Sequence, residues 1–255
     1  MLNPSAIVIT GGTAGIGRAC AEALLAAGAE AVVVNGRDPQ RAQHAQSELK
    51  ARFPTAQIAT ALGDVSHPEV AAAVMKKAIA EFGRIDVLLN ASGGNDIPKL
   101  LHETPIEEIP GIIERCLFAQ ILCSRAALPF MRKAGCGTII NVASDAAKLP
   151  TPGESVIGAA MAGIVMFTRA LAVEGKRDGI RANVITPSLT SGTEHYGRIM
   201  ADPFAGRMFA KASRLAGLGV VTKDELAGLV VFLASPAAAK ITGQAISMTG
   251  GISAL

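Results

Sequence analysis

Ala6-Ile7-Val8-Ile9-Thr10-Gly11-Gly12-Thr13-Ala14-Gly15-Ile16-Gly17-Arg18, followed by a helical run over residues 19–27, is the stretch that decides the fold of this chain. A β-branched run gives way to a glycine-rich turn, and the turn opens into a helix. Glycines there permit positive φ and close backbone approach, while the unpaired N–H groups and dipole at a helix start attract a pyrophosphate. A tight strand-to-helix connection also uses glycine for purely structural reasons, so the turn needs support from the rest of the chain.

That support comes from periodicity. Short β-branched runs recur at residues 7–10, 31–35, 57–61, 87–90, 138–142, 182–186 and 245–248, each pair separated by enough chain for a helix. Strands alternating with helices predict right-handed crossovers and a parallel sheet covered on both faces. The expected fold is therefore α/β, a doubly wound Rossmann-type sheet of about seven strands in a single domain over residues 1–255. Residues 189–218 break the alternation with Gly192, Gly197, Pro203 and Gly206, and read as a substrate-side lid.

Composition narrows the classes. Half of the residues are hydrophobic and 4% aromatic, which suits aliphatic strands under Ala-rich helices and points to an apolar oligomer face. The formal charge of +3 is not gathered into basic runs, so no footprint for nucleic acid is present. Cys20, Cys116, Cys123 and Cys136 form no C-x-x-C pair and no ligand spacing with histidine, so no metal site is expected and the thiols read as reduced. No cationic leader precedes the first strand, and the apolar stretch 227–239 carries Gly228 and Pro236 and is too short to span a bilayer. A cytoplasmic chain without membrane partners is the expectation.

With these patterns in order, the chain resembles the short-chain dehydrogenase/reductase family along essentially its whole length. Thr10–Gly17 looks like that family's T-G-x-x-x-G-x-G turn, which implies cofactor contacts from Gly11, Thr13, Gly15, Ile16 and Gly17. Gly63-Asp64-Val65 resembles its Asp-Val pair beside the adenine, and Leu89-Asn90-Ala91-Ser92-Gly93 its N-N-A-G strand end. Asn183-Val184-Ile185-Thr186-Pro187 is similar to the N-x-x-x-P segment beside the nicotinamide, and Ile241-Thr242-Gly243-Gln244 with Gly250-Gly251 resembles the C-terminal signature. By this resemblance Asp64, Val65, Asn90, Ala91, Ser92 and Pro187 join the cofactor-binding set.

The choice of dinucleotide turns on the end of the second strand, where an acid would accept bonds from the ribose hydroxyls and repel a 2′-phosphate. Val34-Asn35-Gly36-Arg37-Asp38 has no acid at Asn35 or Gly36, and Arg37 can pair with a phosphate. NADP(H) is favoured over NAD(H). Against this stands the reading of Arg37 as a solvated loop residue and of Asp38 as a helix cap or ribose ligand.

The resemblance implies a catalytic serine, tyrosine and lysine with an upstream asparagine, and here the chain departs from it. Ser144 carries over after Thr138–Val142. In the segment similar to Y-x-A-x-K-A-G, however, the tyrosine position holds Ile157 and the lysine position Met161, while Cys116 stands at the asparagine position. No slip in register repairs this, because Tyr196 is the single tyrosine and no lysine lies between Lys148 and Lys176. A positioned general acid is worth about 10²- to 10⁴-fold, and neither Ile nor Met has a proton to give. Ile157 and Met161 at i and i+4 read as apolar packing, and Cys116 as a small buried hydrophobe.

His195 and Tyr196 in the lid are candidates for a substitute acid, as are Asp145 and Lys148 beyond Ser144; each also reads as an ordinary lid or loop residue. Three functions follow. The first is an NAD(P)-dependent oxidoreductase acting on a carbonyl or alcohol, with Ser144 orienting the oxygen. The second is a cofactor-binding partner subunit without turnover, and the third an isomerase or lyase reusing the pocket. Ile157, Met161, Met200, Phe204, Met208 and Phe209 point to a hydrophobic or acyl-type small molecule, and the helix over residues 155–173 to a homo-oligomer, a tetramer or dimer.

Overall fold

The computed structural model describes residues 2–3, 5–93 and 96–254. Among these, seven strands form one sheet: β1 (Ala6–Thr10), β2 (Ala31–Gly36), β3 (Gln57–Leu62), β4 (Val87–Asn90), β5 (Gly137–Val142), β6 (Ile180–Pro187) and β7 (Ala245–Met248). All pairings are parallel, in the order β3-β2-β1-β4-β5-β6-β7. The helices are α1 (Gly15–Ala26), α2 (Pro39–Arg52), α3 (Pro68–Phe82), α4 (Glu108–Ile113), α5 (Ala119–Ala134), α6 (Ser155–Gly175), α7 (Glu194–Ala201), α8 (Ala205–Ser213) and α9 (Lys223–Ala234).

Every residue of β1, β2 and β4 is buried, as expected of strands covered on both faces. The pleat sorts their side chains. Ile7, Ile9, Val32, Val34 and Leu89 pack under Leu24 of α1 and Leu226, Val230 and Leu233 of α9. Val8, Val33, Leu88 and Ile139 face Val74 and Met75 of α3 and Cys123, Ala127 and Met131 of α5. The chain steps outward from β1 to β3 and then returns to β4 on the other side of β1, so a crevice opens where the connections diverge, at the carboxyl ends of β1 and β4.

Strand positions match the expectation closely; helix limits differ more. α1 begins at Gly15, four residues before the expected start, because the phosphate-type turn is itself the first turn of the helix. α4 runs into α5 through a π-helical turn, Glu114–Phe118, a widened geometry that recurs at functional positions. α6, with its 3₁₀ continuation to Asp178, is long and apolar enough by length and composition to cross a membrane, which corrects the choice of residues 227–239 as the most apolar stretch. It carries Arg169 and Glu174, and Met161, Ile164 and Val165 pack it against Val184 of β6 as a layer helix of the sheet.

The segment expected to be a lid forms α7 and α8, which share a small core of Leu189, Ile199, Ala205 and Phe209, flanked by Tyr196, Met200, Met208 and Ile97. A buried polar chain ties the middle of the sheet to α5 and α6. Asn90 Nδ2 donates to Ser124 Oγ at 3.1 Å and to Asn141 Oδ1 at 2.9 Å, and Asn141 Nδ2 donates to Thr168 Oγ1 at 2.8 Å.

Candidate active site

The glycine turn is built so that backbone, not side chain, lines the crevice. Gly11 has φ +65° and a Cβ there would meet the Ala91 carbonyl oxygen at 2.8 Å; Gly15 has φ +53°. A Cβ on Gly17 would meet the Gly11 oxygen at 2.4 Å. The start of α1 is bare: Ala14 offers no capping side chain and the first turn holds no acid. Four N–H groups therefore lack helical partners beside a cradle that only glycine allows, and a pyrophosphate is the group that fits both.

Around this cradle, β1 and β4 are tied by Thr10 Oγ1 donating to Ser92 Oγ at 2.9 Å, with the Ser92 N–H donating back to Thr10 at 3.2 Å. The Ala91–Ser92 backbone thus lies against Gly11. Asn90, by contrast, is fully buried and its amide is committed to the interior chain described above, so only its backbone reaches the strand end. Val65 is a core side chain, and Ile16 packs against the core under β1. Pro187 closes β6 next to Thr186, whose buried hydroxyl makes no hydrogen bond.

At the end of β2, Thr13 lies over Gly36, where a Cβ would meet Thr13 Oγ1 at 2.4 Å. Arg37 comes next, exposed, with Nη1 at 3.3 Å from Asp64 Oδ2. Burial pushes the Asp64 carboxyl upward, but hydrogen bonds from the Ser66 N–H and hydroxyl, and then the Arg37 charge, outweigh it and hold it below its ordinary value. Asn35 is buried and donates to the carbonyls of Ala61 and Gly63, and Asp38 caps α2 by accepting from the N–H groups of Gln40 and Arg41.

Beyond β5, Ser144 caps a 3₁₀ turn, Asp145–Ala147, its Oγ accepting from the Ala146 N–H at 3.2 Å. α6 docks on this turn so closely that a Cβ on Gly158 would meet the Ala146 oxygen at 2.9 Å. Ile157 lines a cavity of about 180 Å³ together with Ile112, Val156 and Leu101, but also Asp96, Lys99 and Glu108. Met161 does not line it. That side chain is buried with Cys116, Ile112 and Ile164, Cys116 lying in the π turn. The expected apolar pocket is corrected accordingly: Phe209 belongs to the small core of α7 and α8, Met200 and Met208 pack against that core, Phe204 lies against Gly153, and the cavity wall is of mixed polarity.

The segment expected to be a lid reaches the glycine turn and α2. Thr193, the cap of α7, approaches Gly15, and Glu194 pairs with Arg41 of α2 at 3.0 Å. His195 is partly buried with Nδ1 lacking a partner; burial and then Arg198 lower its pKa, against the opposing charge of Asp96. Tyr196 packs within the lid core. Asp96 is held by Arg115 at 2.6 Å, a contact between the loop after β4 and the π turn that the sequence did not signal.

Fold and site together define a dinucleotide-binding α/β protein with its crevice at the switch point of the sheet. A family model described as short chain dehydrogenase matches residues 5–203. The chain belongs to that family. It is 34% identical over 96% of its length to the 2,3-dihydroxy-2,3-dihydro-p-cumate dehydrogenase of Pseudomonas putida, covering 92% of that protein. It is 31% identical over 98% of its length to the 3-oxoacyl-[acyl-carrier-protein] reductase of Synechocystis, covering 98% of that protein. Its fold superposes with a TM-score of 0.90 on L-sorbose reductase from Gluconobacter frateurii, complexed with NADPH and L-sorbose, at 30% identity over 100% of this chain and 98% of that one.

Proposed function

We propose that this chain is an NADP(H)-preferring oxidoreductase of a small carbonyl or alcohol, working without the family's tyrosine and lysine. The observation that carries it is the bare start of α1 beside the Gly11–Gly17 turn, where unpaired N–H groups and side-chain-free backbone suit an anion. When bound, the nicotinamide supplies or accepts a hydride. Thr13, Gly15, Ile16 and Gly17 hold the pyrophosphate end, Asp64 and Val65 border the adenine, and the backbone of Asn90, Ala91 and Ser92 with Pro187 flanks the ribose and nicotinamide.

Arg37 supports the NADP(H) preference: it follows Gly36 at the end of β2, exposed beside Asp64, while Asn35 donates to backbone carbonyls and Asp38 caps α2. Ser144 presents its hydroxyl at the end of β5, where it orients a carbonyl oxygen. The mixed wall of the cavity lined by Ile157 suits a substrate with an apolar body and a hydroxyl or carbonyl group. Met166 and Val173, both more than 60% exposed on α6, support an apolar interface between copies of the chain, tetramer or dimer.

A second reading, cofactor binding without turnover, draws on Ile157 and on the burial of Met161 in an apolar cluster. Titration with NADPH and NADH, followed by a screen for cofactor oxidation against mixed ketones, separates the two: binding with oxidation supports the first, and binding without it the second.

A further inference from the structure

We propose that Asp145 is a positioning residue: held by the Ser253 hydroxyl, it fixes the turn that carries Ser144 to the chain leaving α8, and so keeps Ser144 in register with the α7–α8 segment. This deepens the oxidoreductase reading and rests on it.

The turn after Ser144 is short and held from two sides. Its own bonds run from the Ala146 N–H to Ser144 Oγ at 3.2 Å, from the Ala147 N–H to the Ser144 carbonyl at 3.0 Å and from the Leu149 N–H to the Asp145 carbonyl at 2.9 Å. α6 closes one side, with Gly158 lying on the Ala146 carbonyl. On the other side, two side chains of the turn reach β7 and the chain behind it: Asp145 Oδ1 accepts from Ser253 Oγ at 2.8 Å, and Lys148 Nζ donates to Ser247 Oγ. Asp145 is 3% exposed, and its Oδ2 is buried with no hydrogen-bond partner among the described residues. A buried carboxyl stripped of a donor carries the full cost of its desolvation, so the Ser253 hydroxyl pins this side chain and the Ser144–Asp145 peptide with it.

Ser253 is itself fixed. Thr249, 5% exposed, donates from Oγ1 to the Ser253 carbonyl at 3.1 Å and accepts from the Ser253 N–H at 3.4 Å, which closes residues 249–253 into a turn. Gly250 and Gly251 in that turn have φ +67° and +93°. The Gly250 carbonyl accepts from the Leu218 N–H at 3.0 Å, and a Cβ on Gly250 would run into the Gly219 carbonyl oxygen. Residues 214–219 follow directly on α8. One path of hydrogen bonds and chain neighbours therefore runs from α8 through Leu218, Gly250, Ser253 and Asp145 to Ser144, joining residues more than 100 positions apart along the chain at the Ser253–Asp145 bond.

This contact bears on the rate because Ile157 has no hydrogen-bonding group, so orienting the substrate oxygen falls on Ser144. A misplacement of about 1 Å is enough to cost about 10²-fold in rate. Asp145 does not touch substrate in this scheme; it acts through the backbone of the turn. Its effect is therefore expected on the reacting geometry, and not on nucleotide binding, which belongs to the glycine turn after β1.

The test uses the full chain with Ser253→Ala, Ser253→Thr, Asp145→Ala, Asp145→Asn and the double variant Asp145→Ala/Ser253→Ala. In NADPH-dependent ketone reduction, Ser253→Ala and Asp145→Ala should each lower kcat by about 10- to 10²-fold with KM and NADPH affinity unchanged. Ser253→Thr keeps the donor and Asp145→Asn an acceptor, so both should retain most of the rate. The double variant should be no slower than either single, as for two residues acting through one bond. Ser253→Ala removes one hydroxyl from a half-buried residue and carries the comparison if Asp145→Ala does not fold. Amide hydrogen exchange, which needs no turnover, should be faster at Ala146 and Ala147 in Ser253→Ala than in the parent. Unchanged exchange there, a Ser253→Ala variant that loses Tm but keeps kcat, or single effects that multiply in the double variant overturns the proposal alone. A folded parent that binds NADPH yet reduces no ketone overturns the oxidoreductase reading, and the role of Asp145 with it.

Discussion

The two sides of the crevice differ in kind. On the β1–β3 side, the glycine turn, the uncapped start of α1 and the exposed Arg37 gather at one end of the sheet. On the β5–α6 side, Ser144 is accompanied by Ile157 and Met161, one lining the cavity and the other sealed into an apolar cluster. On the proposed function, binding and chemistry reside in separate elements, so one can drift while the other holds. The contrast also shows that the two substituted positions are not equivalent, since only position 157 opens onto the cavity.

The largest effect should come from breaking the intact side. A Cβ at Gly17 lies 2.4 Å from the Gly11 oxygen, so Gly17→Val should weaken dinucleotide binding by at least about 10²-fold, equivalent to about 3 kcal/mol, as read by calorimetry. Secondary structure by circular dichroism should persist, separating lost binding from lost folding.

On the other side, Met161→Lys places an ammonium among Cys116, Ile112 and Ile164. It should cost about 3 kcal/mol, a fall in Tm of roughly 10 °C, whereas Ile157→Tyr should be tolerated. Restoring the pair together would therefore raise the ketone-reduction rate only in molecules that reorganise this cluster. An undiminished Tm in Met161→Lys would show that position 161 has access to the crevice after all.

Arg37→Asp tests the cradle's preference. Removing a charge-assisted contact and introducing a repulsion should invert the order of NADPH and NADH affinities, with NADPH weakened by about 10- to 10²-fold. An unchanged ratio would assign Arg37 to Asp64 alone.

The smallest expected effect is on stability. Glu154 is raised from its ordinary 4.5 to about 7, so the folded chain holds the extra proton in that window. Stability should accordingly fall as pH rises from about 4.5 to about 7 and level off above it. Glu154→Gln should flatten this slope and leave the protein slightly more stable at pH about 8 than the parent. Chemical denaturation at several pH values measures it, and a parallel slope in both proteins would contradict it.

Much of the fold was legible because strands covered on both faces write themselves as β-branched runs, and because the glycines of Gly11–Gly17 mark a tight strand-to-helix turn. The start of α1 was not, since Ala14 caps nothing and leaves no signal in sequence. The interior chain from Ser124 through Asn90 and Asn141 to Thr168 joins residues far apart along the chain, beyond any local pattern. At the candidate site, Ser144 and the positions of Ile157 and Met161 could be read only through the family resemblance of the strand end and of the helix that follows it. The burial of Glu154 could not, because only the folded surroundings distinguish it from a surface glutamate.

The most direct test of the central claim, an intact nucleotide half beside an altered catalytic half, is calorimetric titration of the unmodified protein with NADPH and NADH. One nucleotide per chain, with NADPH the tighter, is the predicted result. Failure of both nucleotides to bind at millimolar concentration, about the weakest affinity such a cradle should give, would contradict it.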